Sequence, residues 1–359
     1  MTPPRGGGRG GGAGAGGGKK AGKKPLSPAA KKAVESKKAR HAAASVRKAD
    51  RPGAARAANR PPVRGAGGPG GAGRGAAGGG RGGSGGRGQG GAGRGQGGRQ
   101  GAARGLGGDQ VEGRQAVREL LLAGNRRIRE ILVAEDQDDT EVLQDIVDLA
   151  LDLKVPVREV TRTRLFSEAR TESPQGVVAH AAELPEDDLD ALASRTSPQG
   201  APPFLLAVDG VTDPGNLGAL LRSAECAGVT GVVLPKHRAV HITPTVTKAA
   251  AGAIEYLPMA LVGGLPAALR QLRDAGVWVI GLDAGGDTDL FDLEVADQAV
   301  CLVLGAEGKG LSRLVRERCD AVAGIPLLGQ LASLNVSAAG ALACFEVTRR
   351  RLAAGRGAS

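Results

Sequence analysis

Four short runs in this chain, FLLAVDG (204–210), GVVLP (231–235), VWVIGLD (277–283) and AVCLVLG (299–305), are almost continuously apolar. Between them lie helical patterns such as NLGALLRSAECAG, LPAALRQLRDAG and GLSRLVRERC. A strand with one face in water alternates apolar and polar residues, whereas a strand covered on both faces does not. The pattern therefore predicts an α/β fold built on a parallel sheet with helices on both sides. Ligands of such sheets lie beyond the carboxyl ends of the strands. Three loops stand there, at 209–216, 305–311 and 326–335.

Upstream, helical and strand patterns alternate over residues 109–183, from EGRQAVRELLLAG and IREILVAE through TEVLQDIVDLALDL and VPVREV to TRLFSEA and QGVVAHA. This is enough for a second, small α/β domain. The polar, proline-containing stretch at 184–202 reads as the linker to a main domain at 203–355.

Residues 1–108 differ in kind. They are mostly Gly, Ala, Arg, Lys and Pro, and cannot bury enough apolar surface to offset chain entropy. They hold 23 Lys and Arg against two acidic residues, leaving 25 basic and 35 acidic residues in 109–359. The net +11 thus belongs to a disordered basic arm, while the rest of the chain is acidic. Such an arm neutralises phosphates and releases counterions, which points to nucleic-acid attraction; a solubilising tail or a mistaken upstream start codon are the alternatives. It lacks aromatic residues to stack on bases, so any nucleic-acid binding would be salt-sensitive and blind to sequence.

Cys226, Cys301, Cys319 and Cys344 are far apart in apolar surroundings and read as buried free thiols of a reducing, cytoplasmic compartment. No histidine array suggests a metal, and no apolar run approaches the length of a membrane span.

In the first loop, DGVTDPGNLGALLRSAE, Asn216 is placed to cap a helix beginning at Leu217. Arg222, six residues on in a mostly apolar helix, reads as a buried cation that needs an anion or acceptor near the same loop mouth. In the second, VLGAEGKGLS, Gly305, Gly308 and Gly310 leave backbone N–H groups open to a ligand, with Ser312 a candidate cap. A phosphate-binding loop would need Ser or Thr after Lys309, and a dinucleotide fingerprint would need GxGxxG after the first strand; neither spacing is met. In the third, IPLLGQLASLNVS, either Ser333 or Asn335 can cap the last helix, which leaves the other needing a role.

Taken in order, DPGNLGALLRSAE, LGAEGKGLS and IPLLGQLASLNVSAAGALACFE closely resemble the motifs of the SpoU (TrmH) family of S-adenosylmethionine-dependent RNA ribose 2'-O-methyltransferases, over about residues 203–352. EGRQAVRELL and SPQGVVAHA resemble the small RNA-binding domain of members that modify 23S ribosomal RNA. The resemblance implies a carboxyl-terminal trefoil knot, as in the SPOUT superfamily, and a homodimer. Chains in general avoid knots, but the small residues at 332, 333 and 337–341 would let the last segment pass a tight opening.

The resemblance further implies that S-adenosylmethionine is held by main-chain groups of Gly305, Ile325 and Leu334, with Leu304 and Gly308 beside them. Asn216, Arg222, Glu307, Ser333 and Asn335 would surround the reacting ribose. A guanidinium is too weak an acid to serve as a literal base. Arg222 is better read as stabilising the developing alkoxide or holding a phosphate. The implied substrate is a guanosine of 23S ribosomal RNA. Transfer RNA and a non-catalytic RNA-binding assembly factor are the alternatives.

Overall fold

The computed structural model describes residues 105–357 except Asp139 and 237–240. Most of the arm expected at 1–108 lies outside the described residues. Residues 105–108, assigned above to that arm, belong to the folded body. Leu106, a large apolar side chain, is buried in the core, and Gly107 forms a parallel bridge with Ile242.

The first sheet comprises β1 (Gln110–Glu112), β2 (Ile128–Ala134), β3 (Val157–Val160) and β4 (Val177–Ala181), in the order β1-β4-β2-β3. Strand β4 is antiparallel to both its neighbours, and β2 pairs with β3 in parallel. Helices α1 (Arg114–Ala123) and α2 (Glu141–Asp152) pack against each other and share a cluster including Val117, Leu121, Ile146 and Leu149. Thr140 caps α2 through its side chain. Helix α3 (Arg162–Glu168) follows β3 and buries Leu165.

The stretch read as a linker is not purely irregular. It contains α4 (Leu189–Ala193), whose Leu189 and Leu192 enter the core of the main domain. The two apolar residues lie three apart, one helical turn, so both face the sheet.

The main sheet has seven strands: β5 (Phe204–Val208), β6 (Gly231–Pro235), β7 (Met259–Val262), β8 (Trp278–Leu282), β9 (Thr288–Asp289), β10 (Val300–Leu304) and β11 (Ala321–Gly324). Their order is β7-β6-β5-β10-β8-β11-β9, and every pairing is parallel. The expected coverage of both faces is present. Along β5, Leu206 and Val208 join one core cluster and Leu205 and Ala207 the other. The first cluster is closed by α5 (Pro214–Cys226), α6 (Pro244–Ala249) and α9 (Val336–Gly357). The second is closed by α4, α7 (Leu265–Asp274) and α8 (Arg313–Arg316). Helix α9 packs on α5 so closely that a Cβ on Gly340 would stand 2.4 Å from Leu220 Cδ1.

The cysteine reading holds for Cys301 and Cys344, which are buried; desolvation pushes the Cys344 thiol up to about 12. Cys226 is exposed and Cys319 half-buried, contrary to expectation: Cys226 is the last residue of α5, and Cys319 lies three residues beyond the end of α8.

One ion pair bolts the small sheet's unit to the main domain. Arg126, just before β2, donates to both carboxylate oxygens of Glu255 at 2.9 and 2.6 Å, and also to the carbonyls of Gly108 and Ala182. The two side chains are only 2% and 1% exposed. Asn125 adds a hydrogen bond to the Glu255 carbonyl. A buried pair of this kind contributes little against an apolar replacement, but removing one partner strands a charge. Arg126→Ala should therefore lower unfolding stability by about 3–5 kcal/mol. Pairing it with Glu255→Leu should recover much of that loss in the same denaturant titration, and a silent single variant would contradict the assignment.

Candidate active site

Strand order reverses between β5 and β8, on either side of β10, which opens a crevice at their carboxyl ends. Two aspartates that end these strands fix what fills it. Asp209, after β5, accepts from the backbone N–H of Ser312 at 2.8 Å. Asp283, after β8, accepts from the N–H of Leu311 at 3.2 Å and of Gly285 at 3.0 Å, and pairs with Arg316 at 3.3 Å. Burial pushes the Asp283 carboxyl up, but those two amides and the Arg316 guanidinium outweigh it and hold the carboxyl below its ordinary value.

The loop they hold, 305–310, closes on itself through paired hydrogen bonds between Ala306 and Gly310. Its glycines serve close packing. A Cβ on Gly305 would lie 2.2 Å from the Gly310 carbonyl carbon, and one on Gly310 would lie 2.4 Å from Asp283 Oδ2. Gly308, at φ 75°, turns the tip with nothing near it.

A cavity of about 260 Å³ lies between this loop and the segment leading to α9. Its apolar walls are Leu282, Leu304, Ile325, Leu327, Leu334 and Val336, and Asp283, Glu307, Lys309 and Ser333 are its polar members. Leu304, Gly305, Gly308, Ile325 and Leu334 thus all border one space, together with Glu307 and Ser333.

A chain of amides runs to this cavity. Asn335 Oδ1 accepts from the N–H of Ser337 at 2.9 Å and of Ala338 at 3.3 Å, and from the Ser337 hydroxyl at 2.6 Å. It is therefore the cap of α9. Because its oxygen is committed, its Nδ2 faces Asn216 and donates to Oδ1 at 2.9 Å. Asn216 must then present Nδ2 on its other side, and this donates to Glu307 Oε2 at 3.2 Å. The start of the last helix fixes the polarity of both amides and aims a donor at the carboxylate.

Comparison with known proteins decides the family. The SpoU rRNA Methylase family model matches residues 203–345, and one described as RNA 2'-O ribose methyltransferase substrate binding matches 110–186. The 23S rRNA (guanosine-2'-O-)-methyltransferase RlmB of Photobacterium profundum is 37% identical over 68% of this chain and 98% of its own length. The chain belongs to the SpoU methylase family. The RlmB of Pseudomonas aeruginosa is 40% identical over 68% of this chain and 97% of that protein. Among solved structures, the SpoU methyltransferase AviRb of Streptomyces viridochromogenes, in complex with the cofactor AdoMet, aligns with a TM-score of 0.57 at 26% identity. It covers 68% of this chain and 90% of that one.

S-adenosylmethionine, the family's methyl donor, fits the cavity by its chemistry. The apolar walls suit adenine, and Leu327 and Leu334 are exposed enough for a ring to cover them. No pyrophosphate has to be neutralised, which agrees with a rim that offers only Lys309 as a cation.

Two readings of this SpoU site are corrected. Asn216 does not cap its helix: α5 begins at Pro214, and Asp213 is the cap, accepting from the Asn216 N–H at 2.6 Å. A proline at the first helical position needs no hydrogen-bond partner, so the helix starts earlier than the Asn-Leu step suggested. Arg222 is not buried. It is exposed, with no hydrogen bond or ion pair to a described residue. Six residues turn a helix by about 600°, so Arg222 stands about 120° round the axis from Asn216 and leaves the crevice.

The sequence reading missed Asp209 and Asp283 as loop anchors, although each ends a quoted apolar strand with its only carboxylate. Asp283→Asn should lower stability by about 1–3 kcal/mol at neutral pH, the cost of unpaired buried donors. A depressed carboxyl stabilises the fold above its unfolded value, near pH 4, and loses that contribution as pH falls through the folded value. The variant should accordingly flatten the acid limb of the stability curve below about pH 4. An unchanged limb would exclude Asp283 from the account.

Proposed function

We propose that this chain transfers the methyl group of S-adenosylmethionine to the 2'-hydroxyl of a guanosine in 23S ribosomal RNA, acting as a homodimer with a carboxyl-terminal trefoil knot. The general activity, S-adenosylmethionine-dependent 2'-O-methylation of RNA ribose, goes with the family and with its AdoMet-bound member. The choice of 23S guanosine rests on RlmB relatives aligned over nearly their whole length.

The observation that carries the reading is the amide chain Asn335–Asn216–Glu307 at the mouth of the cavity. When bound, S-adenosylmethionine supplies an electrophilic methyl on a sulfonium. The chain's own task is to place the ribose hydroxyl beside it and remove a proton. The main chain around Gly305, Ile325 and Leu334 would hold the donor, with Leu304 and Gly308 in contact. Glu307, held on one oxygen by Asn216, keeps its other oxygen for the ribose hydroxyl or its proton. Ser333, on the same cavity wall, is placed to hold the ribose.

The dimer is supported by a face left uncovered on α9. Leu342, Phe345 and Leu352 recur at spacings of three and seven, so they fall on one stripe, and all three are exposed. Helix α5, which bears the exposed Arg222, packs against α9. The exposed guanidinium of Arg222 is the group this reading offers to a phosphate or to the developing alkoxide. The knot is supported by the small residues that open α9 and by their close approach to α5 at Gly340.

Asn335→Asp separates cap from relay. A carboxylate still accepts the α9 amides, so the melting temperature should change little. It cannot donate to Asn216, so kcat should fall on the order of 100-fold. Near-normal turnover by this variant would remove the relay from the mechanism. Separately, Phe345→Asp should convert the dimer to monomer in light scattering and abolish methyl transfer. A monomeric parent protein, or an active monomeric variant, would defeat the dimer.

A further inference from the structure

The small unit carries a second cavity, of about 510 Å³, that the methyl-transfer chemistry does not use. Its floor is Leu165, Ala134 and Pro174; Phe166 forms a wall, and Arg162 and Arg114 stand at the rim. Of the six aromatic residues in the chain only Phe204 is buried. Phe166, on the seven-residue α3, is 45% exposed with the Arg162 guanidinium 5.8 Å from its ring centre. Among the described residues Arg162 has only a loose ion-pair partner, Asp136 at 3.7 Å, with both side chains more than half exposed. A ring kept at the edge of a hollow beside a guanidinium is a stacking platform rather than core.

The hollow is built before any ligand arrives. Its outer wall is the segment 172–176, which overlaps the start of the SPQGVVAHA run (173–181) that carries part of the family resemblance. The fully buried carboxylate of Glu112 accepts from the backbone N–H groups of Arg170 and Thr171 and from the Thr171 hydroxyl. Arg114 donates to the Gln175 carbonyl at 3.2 Å, to Thr140 at 3.1 Å and to Gln137 Oε1 at 2.6 Å. Lys248 of the main domain donates to the Ser173 carbonyl. Gln175 is held at φ 55°, a conformation non-glycine residues adopt at a cost, and Gly176 follows at 74°. A wall fixed at this many points loses little entropy on binding.

Its polar groups point to one class of ligand. Arg114 spends its donors on a carbonyl, a hydroxyl and an amide oxygen, none of them charged, so its positive charge is not neutralised there. Gln137 and Gln175 each give their side-chain oxygen to Arg114, which leaves their NH₂ groups as donors toward a ligand. The rim is not strongly cationic, since Glu172 also lines it. The hollow therefore suits a flat, uncharged ring with carbonyl and ring-nitrogen acceptors, and not a polyphosphate.

We propose that this cavity holds one unpaired nucleobase of the RNA substrate, stacked on Phe166 beside Arg162 with its acceptor edge on Gln137 and Gln175. The site rests on the reading of the chain as an RNA ribose methyltransferase, and it would tether the RNA at a point separate from the reacting ribose. The Lys248 contact links that tether to the domain that performs transfer.

The test uses the full chain and an unmodified 23S rRNA transcript, at salt high enough to screen nonspecific phosphate contacts. Base stacking is worth roughly five- to a hundredfold in affinity. Phe166→Ala should weaken transcript binding about tenfold and raise KM for RNA by a similar factor, while kcat at saturating RNA and S-adenosylmethionine binding stay within about twofold. Phe166→Trp, which keeps a stacking face, should bind as the parent does. If Phe166→Ala melts early, Phe166→Leu carries the test, because it keeps the apolar contact without the ring. Parent-like binding by both the Ala and Leu variants would overturn the proposal. A parent that binds the transcript in a Phe166-dependent way yet never methylates it would instead sink the functional reading and leave the base site standing.

Discussion

The carboxamide of Asn335 can sit in only one orientation, because its oxygen is taken by the first free N–H groups of the last helix. Helix starts leave such groups unsatisfied, and an asparagine there is ordinary. What is not ordinary is that the other end of the same amide faces Asn216. The demand of a helix terminus for an acceptor is thereby transmitted through two side chains to Glu307, with no freedom for either amide to flip. On the proposed mechanism, the carboxylate offered to the ribose hydroxyl gains its orientation from a structural requirement that the fold has to satisfy anyway. Preorganised polar groups of this kind lower barriers because they need no rearrangement during reaction.

The same economy appears in the walls. Parallel strands end together, so their last residues converge on one crevice. Asp209 and Asp283 stand at two of those ends and hold backbone N–H groups of the loop after β10. Glycines at 305 and 310 allow the loop to fold tightly enough for those bonds to form. The cavity shape therefore depends on carboxylates that need not touch a ligand. Elsewhere, Arg126 and Glu255 join the small unit to the main domain through a desolvated pair.

Much of this was legible in the sequence. The uninterrupted apolar runs reveal a doubly covered parallel sheet because no solvent face interrupts them. The three loops follow from that sheet, and Glu307, Ser333, Asn335 and the cavity-lining backbone lie in them. What escaped depends on distances the chain order does not carry. Asp213 and not Asn216 caps α5, since a proline can occupy the first turn and move the start upstream. Arg222 looked buried because its neighbours are apolar, yet its own position on the helix faces outward. Leu106 was lost in a glycine-rich context, and Glu112 gave no sign that it would hold a loop nearly sixty residues away. The question of whether Asn335 is cap or partner of Asn216 had no answer in one dimension, because the two contacts use opposite ends of one side chain.

The central claim is that Asn335 and Asn216 act on Glu307 as one unit. Single-turnover rates of methyl transfer for Asn216→Ala, Asn335→Ala and the double variant, at saturating RNA and S-adenosylmethionine, test it directly. Groups that act through one another are not additive, whereas independent groups multiply their losses. The account predicts a double variant no slower than the slower single variant. A double variant whose loss is the product of the two single losses would contradict it.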